Sequence, residues 1–432
     1  MNTLRYAAAM IAVAATPALA ENRIDMVRPD APELAQHGDH VIGVRTMTFT
    51  DAGRADVVNT PDDGDIPTYD REITVEVWYP AAEGTEPGGT YPTILRDGET
   101  QTTLTGMAAR DAAPAEGTFP LIVISHGYPG NRFLMSHLGE NLASKGYVTA
   151  SIDHPDSTYD DMGKFTSTLV NRPLDQAFVM KSLTDLDDEV GALIDDSNIG
   201  LIGYSMGGYG ALIFGGGGLS QEAITRAEPA AFVAAQDLLD QNATGSEELT
   251  ALINPDLKAI IAIGPWGRNR DFFDAESLKG LEKPLMLIAG GVDDVSQYDA
   301  IRQIFDETTG TDRYLLTFEN ANHNAAAPMP APSESYAMSE KLGYAPFSHY
   351  ADAVWDNVRM NNILQHFATA FMDEHLKGEA ENAEYLDVIE VAQDGVYSMD
   401  DAGQPKEDNT YWKGFGDRTA AGLRMEHKSA GE

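Results

Sequence analysis

Cysteine is absent from all 432 residues. That excludes disulfides, thiolate metal ligands and a thiol nucleophile, and it excludes a lipid anchor on cysteine. A large hydrophobic core must therefore supply the stability. Basic residues are scarce as well: 29 lysines and arginines stand against 68 aspartates and glutamates, a formal charge of −39. Such a surface repels nucleic acid and anionic membranes, and no basic cluster offsets it. A solvated acidic surface is the simplest account of the excess. Long apolar runs are missing too. No segment reaches the roughly 20 apolar residues that a transmembrane helix needs, and no internal repeat is visible.

The first twenty residues carry an address instead of a fold. Arg5 forms a short positive region, Ala7 to Ala15 an apolar one, and Ala18-Leu19-Ala20 an A-x-A cleavage site before Glu21. The expectation is export, periplasmic or secreted, with cleavage near Ala20. Loss of Arg5 moves the formal charge from −39 to −40.

From His40 onward, strands and helices alternate. Val41 to Thr50 and Glu72 to Tyr79 read as strands by their alternation. Between them, Asp62-Asp63-Gly64-Asp65 reads as turn chemistry, because a calcium loop would need a glutamate at its twelfth position. Leu121 to Ile124, Tyr147 to Ile152, Ile199 to Ile202, Lys258 to Ile263, Leu285 to Ala289 and Tyr314 to Phe318 are short continuous apolar runs, as in strands buried on both faces. Helices are expected over Met135 to Lys145, Asp175 to Asp195 and Asn362 to Leu376. The pattern predicts an α/β fold with a mostly parallel sheet covered on both faces.

Within that pattern, Gly203-Tyr204-Ser205-Met206-Gly207 joins a strand to a helix. A strand that turns sharply into a helix strains the residue at the turn and exposes its side chain. Small residues two positions either side let the two elements pass closely. The helix start also aims free N–H groups at the serine oxygen. A serine nucleophile needs a base, an orienting acid and an oxyanion site.

Ten histidines allow elimination. His37 and His40 precede the fold, and His427 lies in the tail. His366 and His375 sit in the last helix and His137 in an earlier one, while His349 has no strand end to hold it. His154 follows a strand at its C-terminal end and is kept as a residue that supports the site from behind or faces the substrate. His323, in Asn322-His323-Asn324 just beyond the last apolar strand, is the candidate base. The preceding strand ends in Gly290-Gly291-Val292-Asp293-Asp294, which offers the acid. Two backbone N–H groups should form the oxyanion hole: Met206 at the elbow, and Tyr128 in Ser125-His126-Gly127-Tyr128-Pro129-Gly130.

Taken together, Ser125-His126-Gly127 ahead of Gly130-Asn131-Arg132, the elbow, the acid loop, Ala321-Asn322-His323-Asn324 and Ala370-Phe371-Met372-Asp373 resemble serine esterases of the α/β-hydrolase superfamily. The chain is most similar to exported dienelactone hydrolase-like esterases that shade into platelet-activating-factor acetylhydrolases. The resemblance covers roughly Val41 to Gly378. Dienelactone hydrolases proper carry cysteine where Ser205 stands. Vertebrate platelet-activating-factor acetylhydrolases place the acid one strand earlier, where this chain has Ile263-Gly264-Pro265. The acid is therefore expected from the Asp293-Asp294 loop. Many esterases of this fold read Gly-x-x-Asp-x-Val here, which selects Asp293 and expects Val295 to pack inward.

The resemblance implies an α/β-hydrolase fold over 21–432, with a cap insertion near 215–256, a lid-like excursion near 325–350 and a C-terminal extension from about 379. Met329 and Tyr336 are expected to line an acyl pocket. The expected activity is hydrolysis of carboxylic esters, with short-chain esters, acetylated phospholipids and polyesters as the open substrate classes, by Ser205, His323 and Asp293, with no metal or organic cofactor. A peptidase on the same scaffold and a non-catalytic binding protein are the alternatives. A haloalkane dehalogenase would need a carboxylate at position 205. Acyl preference and oligomeric state are not encoded legibly.

Overall fold

The structure, a computed structural model, describes residues 21–432, so the expected leader lies outside the described residues. Its strands are β1 (Asn22–Arg23), β2 (Ile42–Ala55), β3 (Thr68–Pro80), β4 (Gly89–Ile94), β5 (Gln101–Gly106), β6 (Ala109–Arg110), β7 (Phe119–Ser125), β8 (Val148–Asp153), β9 (Ile194–Tyr204), β10 (Leu257–Ile263), β11 (Leu285–Gly290), β12 (Arg313–Phe318) and β13 (Leu423–Lys428). Ten of them form one sheet in the order β13-β12-β11-β10-β9-β7-β8-β3-β2-β6, and β1-β5-β4 form a small second sheet. The centre, from β12 to β8, is parallel, and β3 and β13 pair antiparallel at its two sides.

The continuous apolar runs divide strictly between the two faces. Ile122, Ile124, Ile202, Ile261 and Ile263 face one core, with α1 (Ser136–Ser144) and the last long helix, Asn357–Met372. Leu121, Val123, Ile199, Leu201, Ile260 and Ala262 face the other, with α2 (Phe165–Thr184) and α3 (Met206–Phe214). Period-two side chains that are apolar on both faces require helices on both, which is what the alternation dictates.

Helix boundaries differ from expectation in two places. The helix expected over Asp175 to Asp195 is α2, which starts at Phe165 and ends at Thr184, and residues 194 onward are already β9. Pro173 inside α2 hides the helical pattern, since proline removes one backbone bond and crowds the carbonyl four residues back. That carbonyl, Leu169 O, instead accepts from the Tyr209 hydroxyl at 3.1 Å. The last long helix begins at Asn357, where the Asp356 side chain caps the Arg359 N–H at 2.9 Å.

The tail read as a polar extension closes the main sheet: β13 pairs with β12 and buries Leu423 and Met425 between polar neighbours. Residues before His40 also belong to the packed structure, with β1 paired to β5 and Asn141 Nδ2 donating to Ala35 O at 3.0 Å.

Candidate active site

β9 ends at Tyr204 and α3 begins at Met206, which leaves Ser205 at φ 54° and ψ −110°. A non-glycine residue in that region is strained, and it persists only where its surroundings hold it. Here Ser205 N–H donates to Ile263 O at 2.8 Å, and Ser205 O accepts from Tyr209 N at 2.9 Å and Trp266 N at 3.2 Å. The two glycines are sterically required. A Cβ on Gly203 would lie 2.3 Å from Gly207 O, and one on Gly207 would lie 2.0 Å from Ser125 O.

The structure brings three of the predicted side chains into one line. His323 Nε2 lies 3.0 Å from Ser205 Oγ, and His323 Nδ1 lies 2.8 Å from Asp293 Oδ2. The geometry suits an Oγ–H donating to Nε2 and an Nδ1–H donating to the carboxylate. Ser205, Asp293 and His323 follow β9, β11 and β12, parallel strands of one sheet with β10 between β9 and β11, which deliver them to one sheet edge. Gly264 leaves the room: a Cβ there would stand 3.3 Å from the imidazole and 3.4 Å from Asp293 Oδ2.

The other carboxylate oxygen, Asp293 Oδ1, accepts from Val295 N and Ser296 N, both at 2.9 Å. Val295 itself does not pack inward: it is 45 % exposed at the mouth of the cleft. The inward residue is Ser296, whose hydroxyl donates to Gly264 O at 2.8 Å. Backbone bonds and a buried hydroxyl thus fix this loop where an apolar contact was expected. Asp294 is exposed, with only its N–H tied, to Asn322 Oδ1 at 3.1 Å. The asparagines flanking His323 set its loop. Asn322 Oδ1 also accepts from His323 N at 2.7 Å, and Asn324 Nδ2 donates to Ser348 O and Ala351 O at 2.9 and 2.8 Å.

The oxyanion candidates sit on either side of Ser205. A Cβ on Gly127 would come within 3.2 Å of Ser205 Cβ, so the loop carrying Tyr128 passes directly by the nucleophile. Among the described residues neither the Tyr128 N–H nor the Met206 N–H has an acceptor. Two free donors beside a hydroxyl are what a developing oxyanion would use.

Ser205 and His323 open into a cleft of about 580 Å³ whose wall includes Arg96, Tyr128, Tyr344, Phe347 and His349. Its far side therefore comes from the excursion near 325–350, but from the end of that stretch. Met329 is buried in the core and Tyr336 is 64 % exposed, and neither lines the cleft. No residue of 215–256 lines it either. Phe232 of that insertion packs on Phe165 and Trp266 beside it, with ring centroids 5.9 and 5.6 Å apart. His349, set aside on sequence, reaches the cleft because Tyr159 OH holds its Nε2 at 2.8 Å. Burial pushes its pKa down to about 3, so it stands there neutral. A larger cleft of about 730 Å³, between β2 and α2, contains no histidine.

Directly behind Ser205 lies a second serine–histidine–aspartate arrangement. Ser125 Oγ is 2.9 Å from His154 Nε2, and His154 Nδ1 is 3.1 Å from Asp175 Oδ2. All three residues are buried. Asp175 also takes two 2.9 Å bonds from Arg71 and one of 3.1 Å from Arg54. Desolvation would raise its pKa, but Arg71 and His154 outweigh that and hold it well below the usual carboxylate range. Burial, with help from Arg172, pushes His154 down to about 3. Sequence reading kept His154 in view; Ser125 and Asp175 gave no signal, because their partnership exists only once α2 packs under β7 and β8.

Known esterases resemble this chain over parts of its length. The family model described as PET hydrolase-like matches residues 109–234, a span that holds Tyr128, Ser205 and Met206. Cutinase est1 of Thermobifida alba is 28% identical over 210 residues, 48% of this chain and 54% of that protein. Cutinase 2 of Thermobifida cellulosilytica is 26% identical over 210 residues, 48% of this chain and 62% of that protein. Lipase 1 of Moraxella sp. (strain TA144) is 36% identical over 96 residues, 22% of this chain and 27% of that protein. The chain thus spans about half the length of the cutinases it matches. The structure of a ferulic acid esterase from Streptomyces cinnamoneus superposes with a TM-score of 0.55 at 21% identity, covering 81% of this chain and 94% of that one. The chain has the α/β-hydrolase fold, and in sequence it resembles serine esterases of that superfamily.

Proposed function

We propose that the protein is an exported serine hydrolase of carboxylic esters. The observation that carries this reading is the Ser205–His323–Asp293 line with two unengaged N–H groups beside it. In this reading His323 takes the proton of Ser205 as Oγ attacks the ester carbonyl, and Tyr128 and Met206 N–H groups receive the oxyanion. His323 then protonates the leaving alcohol and afterwards activates water against the acyl-enzyme. Asp293 holds the imidazole tautomer and stabilises the imidazolium. Every step uses side chains already in place.

The leader over residues 1–20 supports export. The similarity to cutinases and to the PET hydrolase-like family supports polymeric esters as substrates, and the open cleft gives a chain room to lie across the nucleophile. A peptidase of the same scaffold is the nearest rival. The test is turnover of 4-nitrophenyl esters of increasing acyl length and of a polyester emulsion, beside matched anilides. Ester turnover that is lost in Ser205→Ala, with anilides untouched, is expected. Anilide turnover comparable to that of esters would favour the peptidase reading.

A further inference from the structure

Arg96 stands out among the charged groups of the cleft. It is the one lysine or arginine lining it, among the described residues, in a chain with 29 basic and 68 acidic side chains. Other arginines are engaged by carboxylates, as Arg71 is by Asp175 and Arg132 by Glu76 and Asp153, or by carbonyl oxygens, as Arg172 is by His126 O and Arg359 by Thr419 O. Among the described residues the Arg96 guanidinium has no carboxylate within 4.0 Å and no hydrogen-bond acceptor, although the residue is half-buried.

The surroundings keep it so. Its position is set by the backbone: Arg96 N–H donates to Tyr350 OH at 3.0 Å, and the turn closes through Gly98 N to Leu95 O at 2.8 Å. Asp97, next in sequence, is occupied by Glu99 N, Thr100 N and Thr100 Oγ at 3.1, 2.9 and 2.6 Å. Glu99 faces Lys341 at 3.7 Å. Asp352, on the cleft wall, already accepts from Asn322 N, Val354 N and Trp355 N. Asp294, on the acid loop, lines the same cleft but forms no ion pair with Arg96, its N–H tied to Asn322 Oδ1. His349, the neighbour that could share a cationic role, is neutral. An unpaired guanidinium facing the same cleft as the nucleophile is a ready partner for a planar anion.

We propose that Arg96 binds a free carboxylate on the substrate, so that half-esters of dicarboxylic acids are preferred over neutral esters of the same length. The scissile ester lies at Ser205 and the far carboxylate of the acyl group at Arg96. Without such a cation, a chain of this negative charge would repel an acidic substrate. The carboxylated ends that appear as a polyester of diacid units is cut are substrates of this class. The inference rests on the esterase reading above.

The test compares the mono-4-nitrophenyl ester of adipic acid with 4-nitrophenyl hexanoate, using the full chain. Arg96→Gln should lower the ratio of kcat/KM for the acidic over the neutral ester about ten- to hundredfold, the range of a charge-assisted hydrogen bond, chiefly through KM. Arg96→Lys should restore part of it. The ratio cancels any general loss of activity or folding. Both esters turned over with a ratio that stays within twofold in Arg96→Gln would overturn this inference alone. If the wild type hydrolysed neither ester, the esterase reading would fall, and this inference with it.

Discussion

Ser205–His323–Asp293 and Ser125–His154–Asp175 have nearly the same internal distances, yet they are built for different ends. In the first, Ser205 sits at positive φ beside a cleft, and two N–H groups next to it have no partner. In the second, Ser125 continues an ordinary strand and the whole group is sealed under the sheet edge. Asp293 is held by the loop's own N–H groups and by the imidazole, whereas Asp175 is saturated by Arg71 and Arg54. A carboxylate neutralised by guanidinium groups has little left with which to stabilise an imidazolium. The comparison teaches that the serine–histidine–aspartate pattern is only a hydrogen-bonded chain. Access, a strained elbow and free donors make it a catalytic apparatus, while burial and arginine make it a strut.

The largest effect expected from breaking this contrast is on Ser205 itself. Ser205→Ala should lower kcat by about 10⁵- to 10⁶-fold with the melting temperature preserved, since in a serine triad the residues act as a unit. Residual turnover within tenfold of the wild type would place the nucleophile elsewhere. Next is the acid: Asp293→Asn should cost about 10⁴-fold in kcat through the wrong imidazole tautomer, whereas exposed Asp294→Asn should stay within about tenfold. The reverse ranking would move the role to Asp294.

The strut should answer differently. Asp175→Asn leaves buried Arg71 with Asp156 as its remaining carboxylate partner and should destabilise the fold by up to about 3–5 kcal/mol, read from urea unfolding. A loss under about 1 kcal/mol would mean that the pair is not holding α2 to the sheet.

Acid should act through the buried histidines, His154 of the strut among them. His137, His154, His349 and His366 are each pushed down to about 3 by burial, so each is neutral in the native protein and binds its proton only on unfolding. Stability should therefore fall as pH drops from about 6.5 toward 3, by up to about 1.4 kcal/mol per pH unit for each histidine. Calorimetry between pH 7.5 and 5 should show a falling melting temperature, and a flat trend would contradict the burial of these rings. The smallest effect is expected for Ser125→Ala. It leaves His154 Nε2 without a partner, at about 1–3 kcal/mol, and changes kcat only within about threefold.

Which parts were legible follows from which forces are local. Alternating and continuous apolar runs place β7 through β12, because a strand's two faces are written in adjacent residues. The elbow, His323 and Asp293 are legible because strand ends deliver them in a fixed order. Pro173 concealed half of α2, since the Tyr209 hydroxyl that replaces its missing bond comes from another helix. β13 rests on two buried side chains, Leu423 and Met425, too few for a pattern. Val295 misled because apolar character suggested burial, while the loop is held by N–H groups that any residue supplies. Arg96, His349 and the Ser125 network meet their partners across tens to hundreds of residues, and no local rule reports that.

The most direct test of the account is covalent labelling of the wild-type protein with a fluorophosphonate, followed by peptide mapping. The account predicts one modified residue, Ser205, no modification at Ser125, and no labelling of Ser205→Ala. A label on Ser125 or on any other serine, or an active protein that takes none, would contradict it.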